Sequence, residues 1–246
     1  MSKSVLVSVA SSSGARENYC KAQLNLIKSA MDCTNHQRNW FGDFLIRSVD
    51  GYCDEYMGVP IQLGSWPVTE KYGVSWSHQN RPYGFKPFAV WEAIEKGYTR
   101  ILWCDSTIRI MKNPDPLWER CAEHGILAWN NEGHPLMPYT PMFMEKWLTD
   151  NHFSLGHEQI MACCIMFDAS KDYVRELIEW WVNGAIENCF HNHDEEQRPG
   201  FVANRHDQAL LSHLMHHCQI PVQPYGYLAY RHYKPENAYF INWGVQ

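Results

Sequence analysis

Pro82-Tyr-Gly-Phe-Lys-Pro-Phe-Ala-Val-Trp-Glu-Ala-Ile-Glu-Lys-Gly-Tyr-Thr-Arg-Ile-Leu-Trp-Cys-Asp-Ser-Thr-Ile-Arg-Ile110 is the stretch whose reading decides the fold. Phe88, Trp91 and Ile94 recur at helical spacing, which predicts an amphipathic helix from Phe85 to Lys96 with Gly97 in the C-cap role. Ile101-Leu-Trp-Cys104 follows as a buried strand, and it ends on the polar patch Asp105, Ser106 and Thr107 before apolar residues resume at Ile108. A carboxylate at such a strand end can hold a divalent cation or a ribose hydroxyl, while neighbouring hydroxyls and amides contact phosphate.

The same alternation extends in both directions. Val5–Val9 reads as a first strand, followed by the turn Ala10–Gly14, a helix from Asn18 to Met31 and a strand over Phe44–Val49. Val59 to Trp76 reads as connecting structure with a short strand at Ile61–Leu63. Beyond the central stretch come a helix over Pro114–Glu123, a strand over Gly125–Trp129 and a helix over Glu145–Asn151. A continuous apolar strand over Ile160–Phe167 and helices over Tyr173–Asn188 and Asp207–Cys218 complete the pattern, with Asp194–Glu196 in an exposed loop. Alternating apolar strands and helices predict one α/β domain over residues 1–246, a Rossmann-like, mainly parallel sheet covered by helices on both faces. Ligands of such sheets bind beyond the carboxyl ends of the strands, so the residues after Val9, Cys104 and Phe167 are the first candidates.

Composition bounds the function. The chain has 246 residues, 45% of them apolar and 20% charged, as expected of a soluble globular domain. A net charge of −6 gives no global case for nucleic-acid binding. The N-terminus lacks the apolar core of a secretory signal, and no apolar run reaches the length that spans a bilayer. Nine cysteines, an odd number that includes the adjacent pair Cys163–Cys164 in an apolar run, suit reduced thiols and a cytoplasmic location. No Gly-x-Ser-x-Gly elbow and no phosphate-loop signature is present.

The segment ending at Asp105 resembles glycosyltransferases of the GT-A fold, whose Asp-x-Asp motif closes such a strand. Gln159-Ile-Met-Ala-Cys-Cys-Ile-Met-Phe-Asp168 and Arg205-His-Asp-Gln-Ala-Leu-Leu-Ser212 resemble segments of the retaining group that includes glycogenin and bacterial galactosyltransferases. The resemblance implies a nucleotide-sugar donor, UDP-sugar by analogy, and a hexosyl- or pentosyltransferase. It places Val9, Ala10 and Ser11 beside the nucleoside, and Asp105, Ser106 and Thr107 at the donor. Lys86, Arg231 and Lys234 fall at the diphosphate, and Asp207 and Gln208 near the anomeric carbon and the acceptor. Asp105 and His232 would carry Mn²⁺ or Mg²⁺, but Thr107 stands where the motif has its second Asp, and a hydroxyl is a poorer ligand. The acceptor is left open among a glycan, a protein side chain, a small molecule and a hydroxylated DNA base.

Plainer readings stand beside these. Asp105 suits a turn after a strand, His206-Asp207 suits a helix start, and Lys86 suits a helix entry. A sugar-phosphate nucleotidyltransferase would show a Gly-rich basic loop after the first strand, to which Ala10–Arg16 is a faint match; a binding protein that kept the fold without catalysis would explain Thr107. Cys189, His191, His193, His213, His216, His217 and Cys218 form a rival cluster with zinc-ligand chemistry.

Overall fold

The computed structural model describes residues 3–10, 19–33, 43–49, 53–63, 82–191, 197–224, 226–231 and 236–244. Its elements are β1 (Ser4–Ala10), α1 (Tyr19–Asp32), β2 (Asp43–Ser48), β3 (Glu55–Tyr56), β4 (Val59–Leu63), α2 (Phe85–Glu95), β5 (Arg100–Cys104) and β6 (Ile108–Ile110). They continue with α3 (Asp115–His124), β7 (Ile126–Leu127), β8 (Asn130–Pro135), α4 (Met142–Asp150), β9 (Glu158–Ile160) and β10 (Cys164–Asp168). The chain ends in α5 (Asp172–Ile186), α6 (His206–His217), β11 (Leu228–Tyr230) and β12 (Phe240–Asn242).

A seven-stranded sheet in the order β3-β4-β2-β1-β5-β10-β7 forms the centre. Strands β4, β2, β1 and β5 are mutually parallel, whereas β10 runs antiparallel to both β5 and β7. Period-two alternation sorts the strand residues onto two buried faces. Val5, Val7, Ile101, Trp103, Ile165 and Phe167 pack beneath α2, α4, α5 and α6. Leu6, Leu102, Cys104, Cys164 and Met166 pack on the other face against α1, α3 and the small sheet β11-β12-β6. Each fully buried large side chain of this kind contributes about 1.5–3 kcal/mol.

Two glycines shape the helices that matter here. Gly97 takes φ +81° after α2, the left-handed C-cap expected from the sequence. Gly184 in α5 lets α6 approach so closely that an added Cβ would sit 2.2 Å from Leu210 Cδ2. A side chain at position 184 would force the Leu210 side chain to shift.

Three expectations are corrected. The apolar run Ile160–Phe167 is not one strand: the chain turns at Met161, Ala162 and Cys163, where Met161 N donates to Trp129 O and Asp105 N donates to Cys163 O, each at 2.7 Å. Because β10 is reversed, the residues after Phe167 lie at the sheet edge opposite Asp105, next to the start of β5. Hydrophobicity carries no strand direction, so the sequence could not show this. The strand expected over Gly125–Trp129 shrinks to Ile126–Leu127, with Trp129 bridging instead to Gln223. Asn18, residues 64–76 and Asp194–Glu196 lie outside the described residues. Among the described residues, no helix is long and apolar enough to cross a membrane.

Candidate active site

Asp105 follows β5 immediately and, two residues beyond Trp103, projects on the α2 side of the sheet. Its Oδ1 accepts from the Trp103 indole Nε1 at 3.0 Å and lies 3.1 Å from Lys86 Nζ, at the start of α2. The turn that follows is closed by Ile108 N donating to Asp105 O at 3.0 Å. The third member is Asp207 in the first turn of α6, whose Oδ2 lies 3.0 Å from the same Lys86 Nζ. Lys86 also donates to Ala162 O at 3.2 Å, inside the break between β9 and β10. One ammonium therefore ties together segments separated by about a hundred residues: α2, the end of β5 and the start of α6. Trp181 holds the start of α6 in place, its Nε1 donating to Asp207 O at 3.1 Å.

These groups floor a polar cavity of about 310 Å³ at the carboxyl edge of the parallel strands. Gln208 and Asn131 both donate to Gln159 Oε1, at 2.6 and 2.7 Å, which fixes the Gln208 amide at the cavity wall. His134 comes from β8, while Tyr230 and Asn242 come from the small sheet, so two further parts of the fold close around the floor. Arg205 lies at the exposed rim with its guanidinium 5.1 Å from the centre of the Tyr139 ring. His206 takes the strained φ of +48° just before Asp207. Its Nδ1 donates to Phe190 O at 2.8 Å, since a carbonyl can only accept, and this turns Nε2 into an acceptor when the ring is neutral.

Charge is unevenly balanced at the floor. Burial disfavours the Lys86 ammonium, but Asp105 and Asp207 together overcome it and hold the amine protonated well above its ordinary range. Asp207 is pushed up to about 6, chiefly by burial, with Asp105 adding to the rise and Lys86 opposing it. Cys163 also lines the cavity, yet burial pushes its thiol up to about 12, so it stays protonated and is no nucleophile.

The remaining sequence candidates are distributed as follows. Val9 and Ala10 end β1 at the same sheet edge, buried, and neither lines the cavity. Ser106 is buried and Thr107 sits in the turn with its carbonyl accepting from Trp243 N at 3.0 Å; neither lines the cavity. Arg231 is exposed beside Tyr230 and anchored through its own N–H to Asn242 O. Ser11, His232 and Lys234 lie outside the described residues.

A divalent cation finds a poor set of donors here. Asp105 supplies one carboxylate already shared by an ammonium and an indole N–H, and Thr107 adds no carboxylate. Among the described residues, no three His, Cys, Asp or Glu side chains converge on a metal position. These residues alone therefore do not fit Mn²⁺ or Mg²⁺, which require several oxygen ligands in near-octahedral array. The zinc alternative fares no better. His213 accepts from Gly156 N on Nδ1 and meets Thr140 Oγ1 through Nε2, both at 2.9 Å, and burial pushes its pKa down to about 3. It is a neutral packing element rather than a ligand. His193 lies outside the described residues.

No protein-family model matches the chain, and no curated protein matches it in sequence. Its shape is another matter. Mouse xyloside xylosyltransferase 1 superposes with a TM-score of 0.57 at 10% identity, over 98% of this chain and 97% of that one. The galactosyltransferase LgtC, solved with donor and acceptor sugar analogues, superposes at 0.51 and 11% identity over 97% of this chain and 86% of its own. The bifunctional glycosyltransferase WbbM gives 0.54 at 10% identity; the chain is covered entirely but spans about half of WbbM, 46%. The fold is that of the GT-A glycosyltransferases. The expected mainly parallel sheet flanked by helices is thus confirmed.

Sequence reasoning named Lys86, Asp105, Asp207 and Gln208, and the fold brings all four to one cavity. It missed Gln159 as the anchor of Gln208, and it missed Asn131, His134, Tyr230 and Asn242. The signal for Gln159 was present as a polar residue opening an apolar run. The other four reach the cavity through long-range packing that no local pattern encodes.

Proposed function

We propose that the protein is a glycosyltransferase that moves a hexosyl or pentosyl group from a nucleotide sugar, UDP-sugar first among the candidates, to a hydroxyl acceptor. The observation that carries this reading is the convergence of Asp105 and Asp207 on Lys86 at the floor of a polar cavity, at the carboxyl edge of the sheet. Carboxylates held rigidly by an ammonium are fixed acceptors for sugar hydroxyls. The surplus negative charge favours a sugar whose anomeric carbon becomes positive as the leaving diphosphate departs. Asp207, with its raised pKa, is suited to orient the acceptor hydroxyl or take its proton near neutral pH. Gln208, held by Gln159, supports the sugar from the wall. Arg231 and the segment that follows it are assigned to the diphosphate.

The nine unpaired cysteines support a cytoplasmic site of action. The acceptor is proposed at the level of a hydroxyl on a glycan, protein, small molecule or modified DNA base. Incubation with a panel of nucleotide sugars, with and without Mn²⁺, tests the reading by release of nucleoside diphosphate. Turnover of at least one donor is expected. Binding without hydrolysis or transfer would favour a non-catalytic binding protein, and no binding of any nucleotide or nucleotide sugar would sink the proposal.

A further inference from the structure

We infer that the donor is held without a divalent cation, with the Arg205 guanidinium at the cavity rim meeting part of its diphosphate charge. This rests on the glycosyltransferase reading above.

A metal that bridges diphosphate to protein takes one or two carboxylates, or an imidazole, free to face it, with phosphate oxygens and water completing its shell. At this floor the carboxylates are otherwise engaged. Asp105 Oδ1 is shared between Lys86 Nζ at 3.1 Å and Trp103 Nε1 at 3.0 Å, and Oδ2 lies 3.4 Å from the same ammonium. Asp207 is 4% exposed and faces Lys86, so swinging it toward a metal would leave a buried ammonium short of a partner. A fixed positive charge about 3 Å from Asp105 also opposes the arrival of a second, doubly charged cation.

The position two residues on, where a second carboxylate would complete a chelating pair, is Thr107. Its turn is pinned by the bonds Ile108 N to Asp105 O and Trp243 N to Thr107 O, both 3.0 Å. Arg205, by contrast, is exposed and lines the same cavity as Lys86 and Asp105. A planar guanidinium is matched to phosphate oxygens and carries its charge at every working pH. Backed by the Tyr139 ring, Arg205 offers that fork from a rigid base.

The test titrates purified protein calorimetrically with UDP, GDP and ADP, in EDTA and in Mn²⁺, and follows free Mn²⁺ alone by electron paramagnetic resonance. At least one nucleotide should bind with equal affinity in both media, and the protein should leave the Mn²⁺ signal unchanged. Arg205→Gln should weaken that binding about tenfold or more, the loss of a charge-assisted hydrogen bond. Mn²⁺ uptake by the wild type, or nucleotide affinity that falls about fivefold or more in EDTA, would overturn the metal-free site and leave the glycosyltransferase reading standing. Undiminished affinity in Arg205→Gln would overturn the role given to Arg205. Failure of every nucleotide and nucleotide sugar to bind in either medium would overturn both readings.

Discussion

Helix α2 carries two buried ionic sites, one at each end, and they are built for different ends. Glu92, 4% exposed, is gripped by the Arg47 guanidinium of β2, with Arg47 Nε donating to Glu92 Oε2 at 3.1 Å. At that end the carboxylate is well supplied with positive charge, the exposed Lys96 lying 3.6 Å from it in addition to Arg47, and neither Arg47 nor Glu92 reaches the cavity. About two turns earlier, Lys86 faces two carboxylates, and one of them, Asp105, is 29% exposed toward the cavity. Both sites tie the helix to the sheet. Burial of charge alone therefore does not mark the candidate site; unmatched charge that opens onto a cavity does.

That contrast can be broken at either end. The largest effect is expected at Asp105→Ala, which should abolish donor binding or turnover, as read by calorimetry with the active nucleotide sugar. Asp207→Asn should lower kcat by about 10²–10⁴-fold, with a smaller loss of donor affinity; equal activity in both variants would place the chemistry elsewhere. Glu92→Ala removes the carboxylate that grips the buried Arg47 guanidinium and should cost about 3–5 kcal/mol of stability, read as a lower urea midpoint. The fraction that remains folded should keep its donor affinity. If it loses it, the two ends of α2 are not separable.

The smallest effect is a pH dependence. Asp207 binds its proton more tightly folded, at about 6, than at its ordinary 3.8. Its protonated form thus favours the folded state below about 4, and that contribution is lost as pH rises to about 6. Activity should move oppositely, rising through about pH 6 as the carboxylate forms. Asp207→Asn should flatten the stability change between those pH values.

The legible parts of this molecule were those governed by short-range rules. The helix–strand unit from Phe85 to Cys104 emerged within one residue of its observed bounds at each end, because amphipathic spacing and Gly97 specify it locally. Lys86 and Asp105 were read as neighbours of one ligand; that they touch depends on Asp105 sharing a face with Trp103 beneath α2, which alternation permits but only packing decides. The reversal of β10 and the turn at Met161–Cys163 were illegible, since an apolar run states burial without direction or continuity. His213 shows the converse problem. Its spacing to His216 and His217 looked like ligand geometry, yet its ring is committed to Gly156 and Thr140.

The reversal of β10 has a practical use. Ser170 follows that strand, exposed, with its hydroxyl on Asp168 Oδ1 at 2.6 Å, at the sheet edge facing away from Asp105. A tether or fluorophore attached there would immobilise or report on the protein from behind, leaving the mouth of the cavity open.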